Sequence, residues 1–143
     1  MLDAVKTRLG ARVPDLAGRI DGAAEFTALM ESMVLPSGGV RAYLLPMGIE
    51  AGPGEALAGM FSQPVTRRLG VLLFTRSSDA AGKRALDRLD LFVEAILAAL
   101  AGWAPGDEVG VFELARARII PAGAGLLGYQ IEFTIADQLR ISA

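Results

Sequence analysis

The chain contains no histidine and no cysteine. The first absence removes the commonest general base, the usual base of a nucleophilic triad and the commonest transition-metal ligand. The second excludes disulfides and thiolate metal sites. Aromatic residues make up only 6% of the chain, so there is no series of rings on which nucleobases would stack. Neither sign of charge dominates. The formal net charge is −2 and the isoelectric point about 5.1, which gives no global basic signature for nucleic acid. No fully apolar run is long enough to span a bilayer. The N-terminus lacks a basic region followed by an apolar block, so no signal peptide is expected and the chain reads as made in the cytoplasm.

What is present is a core-forming composition. The chain has 143 residues, 52% hydrophobic and 21% charged, which predicts one folded domain over 1–143 rather than disorder. A mean hydropathy of +0.43 points either to apolar surface that meets a partner or to a core rich in alanine and leucine.

The most regular stretch is Asp79 to Trp103. Leu86, Leu89, Val93, Ile96 and Leu100 recur at spacings of three and four, and Phe92 and Leu97 widen the stripe. This is one broad apolar face of an α-helix, with Lys83, Arg84, Asp87, Arg88, Asp90 and Glu94 mostly on the other side. Ser78 or Asp79 is placed to cap its start, Gly102 to stop it and Pro105 to prevent its resumption. Short helices are expected over Leu2–Leu9 and Ala23–Ser32, with an extended piece around Leu16–Ile20. Strands are expected over Val40–Pro46, Val65–Arg76, Val109–Ile120 and Leu127–Ala136, the last two as an antiparallel hairpin. Gly48–Ser62, rich in glycine and small residues, reads as a long surface loop. Val71–Phe74 is apolar at every position, so that strand is either covered on both faces or meets another subunit with one of them. The fold class is α+β: a mainly antiparallel sheet against one long central helix, plus short N-terminal helices.

No motif for catalysis, a cofactor or a metal survives inspection. Gly123–Gly128 has the glycine spacing of a dinucleotide fingerprint, but an alternating strand follows it where a helix is required, so a hairpin turn is the better reading. Gly82-Lys83 lacks both the upstream glycine and the following Ser or Thr of a phosphate loop. Asp87, Asp90 and Glu94 lie among arginines on one helix face and read as a solvated surface or subunit contact rather than a cation site. Arg67, Arg68, Arg76, Arg116 and Arg118 mark two strands without interleaved aromatics, which favours ion pairs within or between subunits over nucleic acid. Trp103, just past a helix stop, is expected to close the edge of the core, with an interface as the alternative.

Several segments together resemble the tail terminator proteins of long-tailed phages and prophages. They are GAAEF at 22–26, RAYLLP at 41–46, QPV at 63–65, then Asp79, Gly82, Ala85, Asp87 and Leu89 on the helix, and ALAGWAP at 99–105. The resemblance spans nearly the whole chain, and the Leu-x-Gly-Trp-x-Pro ending and the Gln-x-Val opening are its most specific parts. It implies a structural virion protein without enzymatic activity or cofactor. Such a protein forms a homo-oligomer, a hexameric ring that caps the tail tube, ends its polymerisation and offers a surface for joining the head. The implied partners are the tail tube protein and head–tail connector or neck proteins, with DNA passing through the ring without specific binding and no membrane involved. The implied location is the head-proximal end of the tail. Residues expected to contribute to contacts are Arg41, Glu50, Glu55, Arg67, Arg68, Arg76, Asp87 and Trp103, and the 48–62 segment is expected to project toward tube or neck. A neck or head–tail completion protein and a small-ligand-binding domain are the competing readings.

Overall fold

A computed structural model describes residues 1–36, 38–77 and 83–142. Helix α1 (Leu2–Arg12) leads through a 3-10 turn (Pro14–Leu16) into a short strand β1 (Ile20–Asp21) and helix α2 (Ala23–Ser32). Strands β2 (Arg41–Ala51), β3 (Glu55–Leu57) and β4 (Met60–Arg76) follow, then helix α3 (Lys83–Leu100) and the hairpin β5 (Glu113–Gly123) and β6 (Leu126–Ser142). The six strands form one sheet in the order β1-β2-β4-β6-β5, and β3 pairs with β4 beyond the end of β2. Every pairing is antiparallel except that of β1 with β2. The α+β class expected from the sequence is the class observed.

The centre of the sheet explains the apolar run in β4. Leu69, Val71 and Leu73 point to one face, where α1 (Val5, Leu9) and α3 (Leu89, Val93, Ile96, Leu100) cover them. Leu72 and Phe74 point to the other, where they meet Tyr43 of β2, Leu29 of α2 and Leu35. Covering on both faces is thus the alternative realised for Val71–Phe74. Each buried side chain of this size contributes roughly 1.5–3 kcal/mol of transfer free energy, so α3 is a principal source of core stability. Its observed face keeps the expected period, with Leu89, Val93, Ile96 and Leu100 buried and Leu86 half-buried at the edge. Gly102 sits in the left-handed region at φ +80°, where its N–H donates to the Phe112 carbonyl at 2.8 Å, which ends the helix as expected. The capping roles expected of Ser78 and Asp79 lie outside the described residues.

Three expectations need correction. Gly48–Ser62 is not a loop. Strand β2 continues through Ala51, a turn at 52–54 leads into β3, and a tight turn with positive φ at Ala58 (47°) and Gly59 (82°) opens β4. The glycines are concentrated in turns of a β-ribbon, and the ribbon is exposed on both sides, so no hydrophobic alternation betrays it. Its ladder comes from distant sequence: β6 runs on to Ser142, well past Ala136, and pairs with β4 down to Met60. The piece around Leu16–Ile20 is a 3-10 turn followed by the brief β1, since Pro14 fixes a helical φ at the first position of the turn. Strand β5 begins at Glu113 rather than Val109, and Phe112 is buried against Trp103 and Phe133 before it.

Candidate functional site

Helix α2 covers only one end of its face of the sheet, and most of the remaining side chains on that face are polar. At its centre stands Glu132 of β6, 1% exposed. Its alternation partners Gln130 and Thr134 point the same way, so the strand's period fixes its direction. Arg68 of β4 donates to it through Nε at 2.6 Å and again through Nη2, and Arg116 of β5 donates from Nε at 2.9 Å. Arg68 also meets Glu50 of β2 at 3.3 Å. Burial pushes the Glu132 carboxyl up, but hydrogen bonds and charge from Arg68, with a further contribution from Arg116, outweigh it and hold the group below the usual carboxylate range. The same hydrogen bond and charge raise the Arg68 guanidinium further above its ordinary value.

The other residues marked in the sequence are spread around this row. Arg41 pairs with Asp21 at 3.0 Å near the start of β2, and Arg67, on the opposite face from Arg68, pairs with Asp137 at 3.3 Å. Arginine ion pairs within the subunit are therefore present on β2, β4 and β5. Arg76 is exposed at the end of β4, Asp87 on the outer face of α3, and Glu55 on β3. Of these residues, Glu50 and Arg68 are joined to each other. Glu132 was not singled out in the sequence. The signal was a lone carboxylate at an outward position of a strand amid surplus arginines, but only the register brings the three together. Trp103 packs half-buried against Phe112, with ring centroids 6.2 Å apart. The Arg8 guanidinium lies 4.5 Å from its ring centroid while Arg8 Nε donates to the Ala99 carbonyl at 2.6 Å.

A second surface lies at the ribbon's end. Leu57, Met60 and Ile141 are each more than half exposed and, with Ala56 and Phe61, line a shallow apolar hollow. Clustered exposed apolar side chains are the kind of surface that a partner covers.

Among the described residues no three histidine, cysteine, aspartate or glutamate side chains converge to hold a metal ion, and Asp87, Asp90 and Glu94 are all exposed on α3. Gly123, Ala124 and Gly125 all have positive φ and form the β5–β6 hairpin turn, so the fingerprint-like spacing is a turn. No described helix is long and apolar enough to cross a membrane.

Comparison with known proteins gives a family match and a likeness of fold to solved structures. The model of the family described as phage tail terminator protein matches residues 2–143. No curated protein matches. Among solved structures, a chain from the virion of a native gene transfer agent particle is similar in fold, with a TM-score of 0.52 and 15% sequence identity. The similarity covers 96% of this chain and 93% of that one.

Proposed function

Because the chain belongs to the phage tail terminator family of structural tail proteins, we propose that six copies close into a ring on the head-proximal end of the tail tube. The ring stops further addition of tube protein and presents its outer side to the head–tail connector or neck proteins. The genome passes through its opening without sequence-specific contact, and the reading assigns the chain no chemical step and no cofactor. The observation that carries this reading is the family match across residues 2–143. The β2–β3–β4–β6 ribbon supports it, because an apolar tip on a projecting element suits docking onto another protein. The ribbon's end contacts the tube or neck.

The test is a chain whose ribbon is shortened by deleting 55–60, supplied in place of the natural subunit during tail assembly. The expected result is a folded subunit with tails of irregular length that do not join heads. Uniform, capped tails of normal length from this variant would overturn the role given to the ribbon.

A further inference from the structure

The charged row across the sheet ends in opposite signs at opposite edges. Glu50, Arg68, Glu132 and Arg116 stand on β2, β4, β6 and β5, four consecutive strands, and alternate in charge. The inner two are satisfied by their neighbours. The outer two keep a free side: Glu50 is 71% exposed at one edge and Arg116 59% exposed at the other. We propose that the row continues from one copy of this chain to the next, with Arg116 of each subunit pairing with Glu50 of its neighbour. The proposal rests on the ring reading above and names the contact that closes the ring.

Strand direction favours it. Strands β2, β4, β6 and β5 are each antiparallel to the next, so β2 and β5 run in opposite directions at the two sides of the sheet. Rotation about a ring axis preserves the sense of each strand along that axis and keeps the same face of every sheet inward, and because Glu50 is level with Thr66 and Arg116 with Gly70 the strands incline to the axis where the two meet. It therefore lays β5 of one copy antiparallel to β2 of the next. Both edges are open to receive it. Strand β1 pairs only with Ala42 and Tyr43 of β2, and among the described residues no strand pairs with the outer side of 44–51 or of β5. Pro46 lacks an N–H and the register shifts between Pro46 and Gly48, which confines pairing to the far end of β2, where Glu50 stands.

Side chains match on both faces. On the face of Glu132, the β5 edge carries Arg116 and Arg118 and the β2 edge carries Glu50. On the opposite face, β5 carries exposed Leu114 and Ile119 and β2 carries exposed Ile49. One contact thus joins base to acid on one side and apolar to apolar on the other. An open, partly apolar strand edge invites pairing with other chains, and a closed ring leaves none uncovered. The two surfaces differ, so the contact is head-to-tail and, where the rotation closes, builds a ring rather than a two-fold dimer.

The experiment measures solution mass by light scattering for the natural chain, Glu50→Arg, Arg116→Glu and an equimolar mixture of the two, with far-UV circular dichroism to verify folding. Glu50→Arg is expected to raise the concentration needed for assembly roughly ten-fold or more, since like charges then face each other at every contact. Arg116→Glu is expected to do the same. The mixture is expected to regain hexamers, because alternating variants restore opposite charges at each boundary. A folded Glu50→Arg chain that assembles like the natural one overturns the proposal and leaves the ring reading standing. A natural chain that stays monomeric alone and on tail tubes overturns the ring reading itself. Should Arg116→Glu fail to fold, Glu50→Cys with Arg116→Cys in one chain and a short bismaleimide replaces it. No natural cysteine competes, so covalent multimers up to six report this contact alone. Their absence from a protein of hexameric mass refutes it.

Discussion

Replacing Glu132 by alanine should lower stability by about 3 kcal/mol. The carboxylate is 1% exposed, and it accepts from Arg68, whose side chain is 26% exposed, and from Arg116, which is 59% exposed. A net hydrogen bond to a charged group contributes about 1.5–3 kcal/mol, and the near-complete burial of the Glu132 carboxylate places its loss near the upper end. The Arg116 contribution is discounted to below about 1 kcal/mol for solvent screening. The loss lies at the low end of the roughly 3–5 kcal/mol of a broken buried pair, because both guanidiniums reach water and Arg68 keeps Glu50. In a chain of this length the change corresponds to a melting temperature lower by roughly 6–12 °C. Urea unfolding followed by fluorescence is a suitable assay, since Trp103 is the single tryptophan and packs on the core. The folded carboxyl is depressed, so its contribution is present above the unfolded carboxylate range and is lost as pH falls through the folded value. The gap between natural chain and variant should therefore narrow under acid. A loss below about 1 kcal/mol at neutral pH, or a gap that does not close in acid, would refute the account of the row as a stabilising network.

Other outcomes follow from burial and backbone geometry. Leu89→Asp should leave no soluble folded chain, because it places an unpaired charge where the natural side chain is fully buried, and circular dichroism of the soluble fraction checks it. Arg67→Ala should cost less than about 1 kcal/mol in urea, well below Arg68→Ala, because its Asp137 partner lies partly in water. Gly102→Ala should cost about 1 kcal/mol in the same assay, since φ of +80° is unfavourable once a Cβ is present. Leu57→Ser with Met60→Ser should leave urea stability within about 0.5 kcal/mol while weakening tube binding in a co-sedimentation assay, since both side chains are exposed.

The parts legible in the sequence were those with one buried face. Leu89, Val93, Ile96 and Leu100 face a core, so their period announces α3. The alternation of Leu127 to Ile135 announces β6 for the same reason. Where both faces are solvated the code falls silent. That is why the ribbon at 48–62 read as loop and why β6 was expected to stop at Ala136, although its ladder continues to Ser142. The charged row was half legible. Arginines on β4 and β5 were visible as strand-borne charges, and Glu50 and Arg68 were marked. Glu132 became meaningful only through pairing across strands that lie far apart in sequence, which no local pattern encodes. Trp103 at the core's edge followed from the helix stop before it, because Gly102 turns the chain back toward Phe112.

The ladder between β4 and β6 also governs how the molecule opens. Arg76 pairs with Leu126 and Met60 with Ser142, and the whole of α3 and β5 lies between the two strands in sequence. No local hairpin can nucleate this ladder. Folding should wait on long-range closure, placing the chain among slower domains of its size. Within the same strand, Leu69–Leu73 is held by cores on both faces while Met60–Ser62 lies outside both cores. Amide hydrogen exchange along β4 should therefore run as a gradient, slowest at the centre and fastest at the ribbon's end. A docking partner gripping that end would supply the ordering that the fold itself withholds, and slowed exchange at Met60–Ser62 on binding would be its signature.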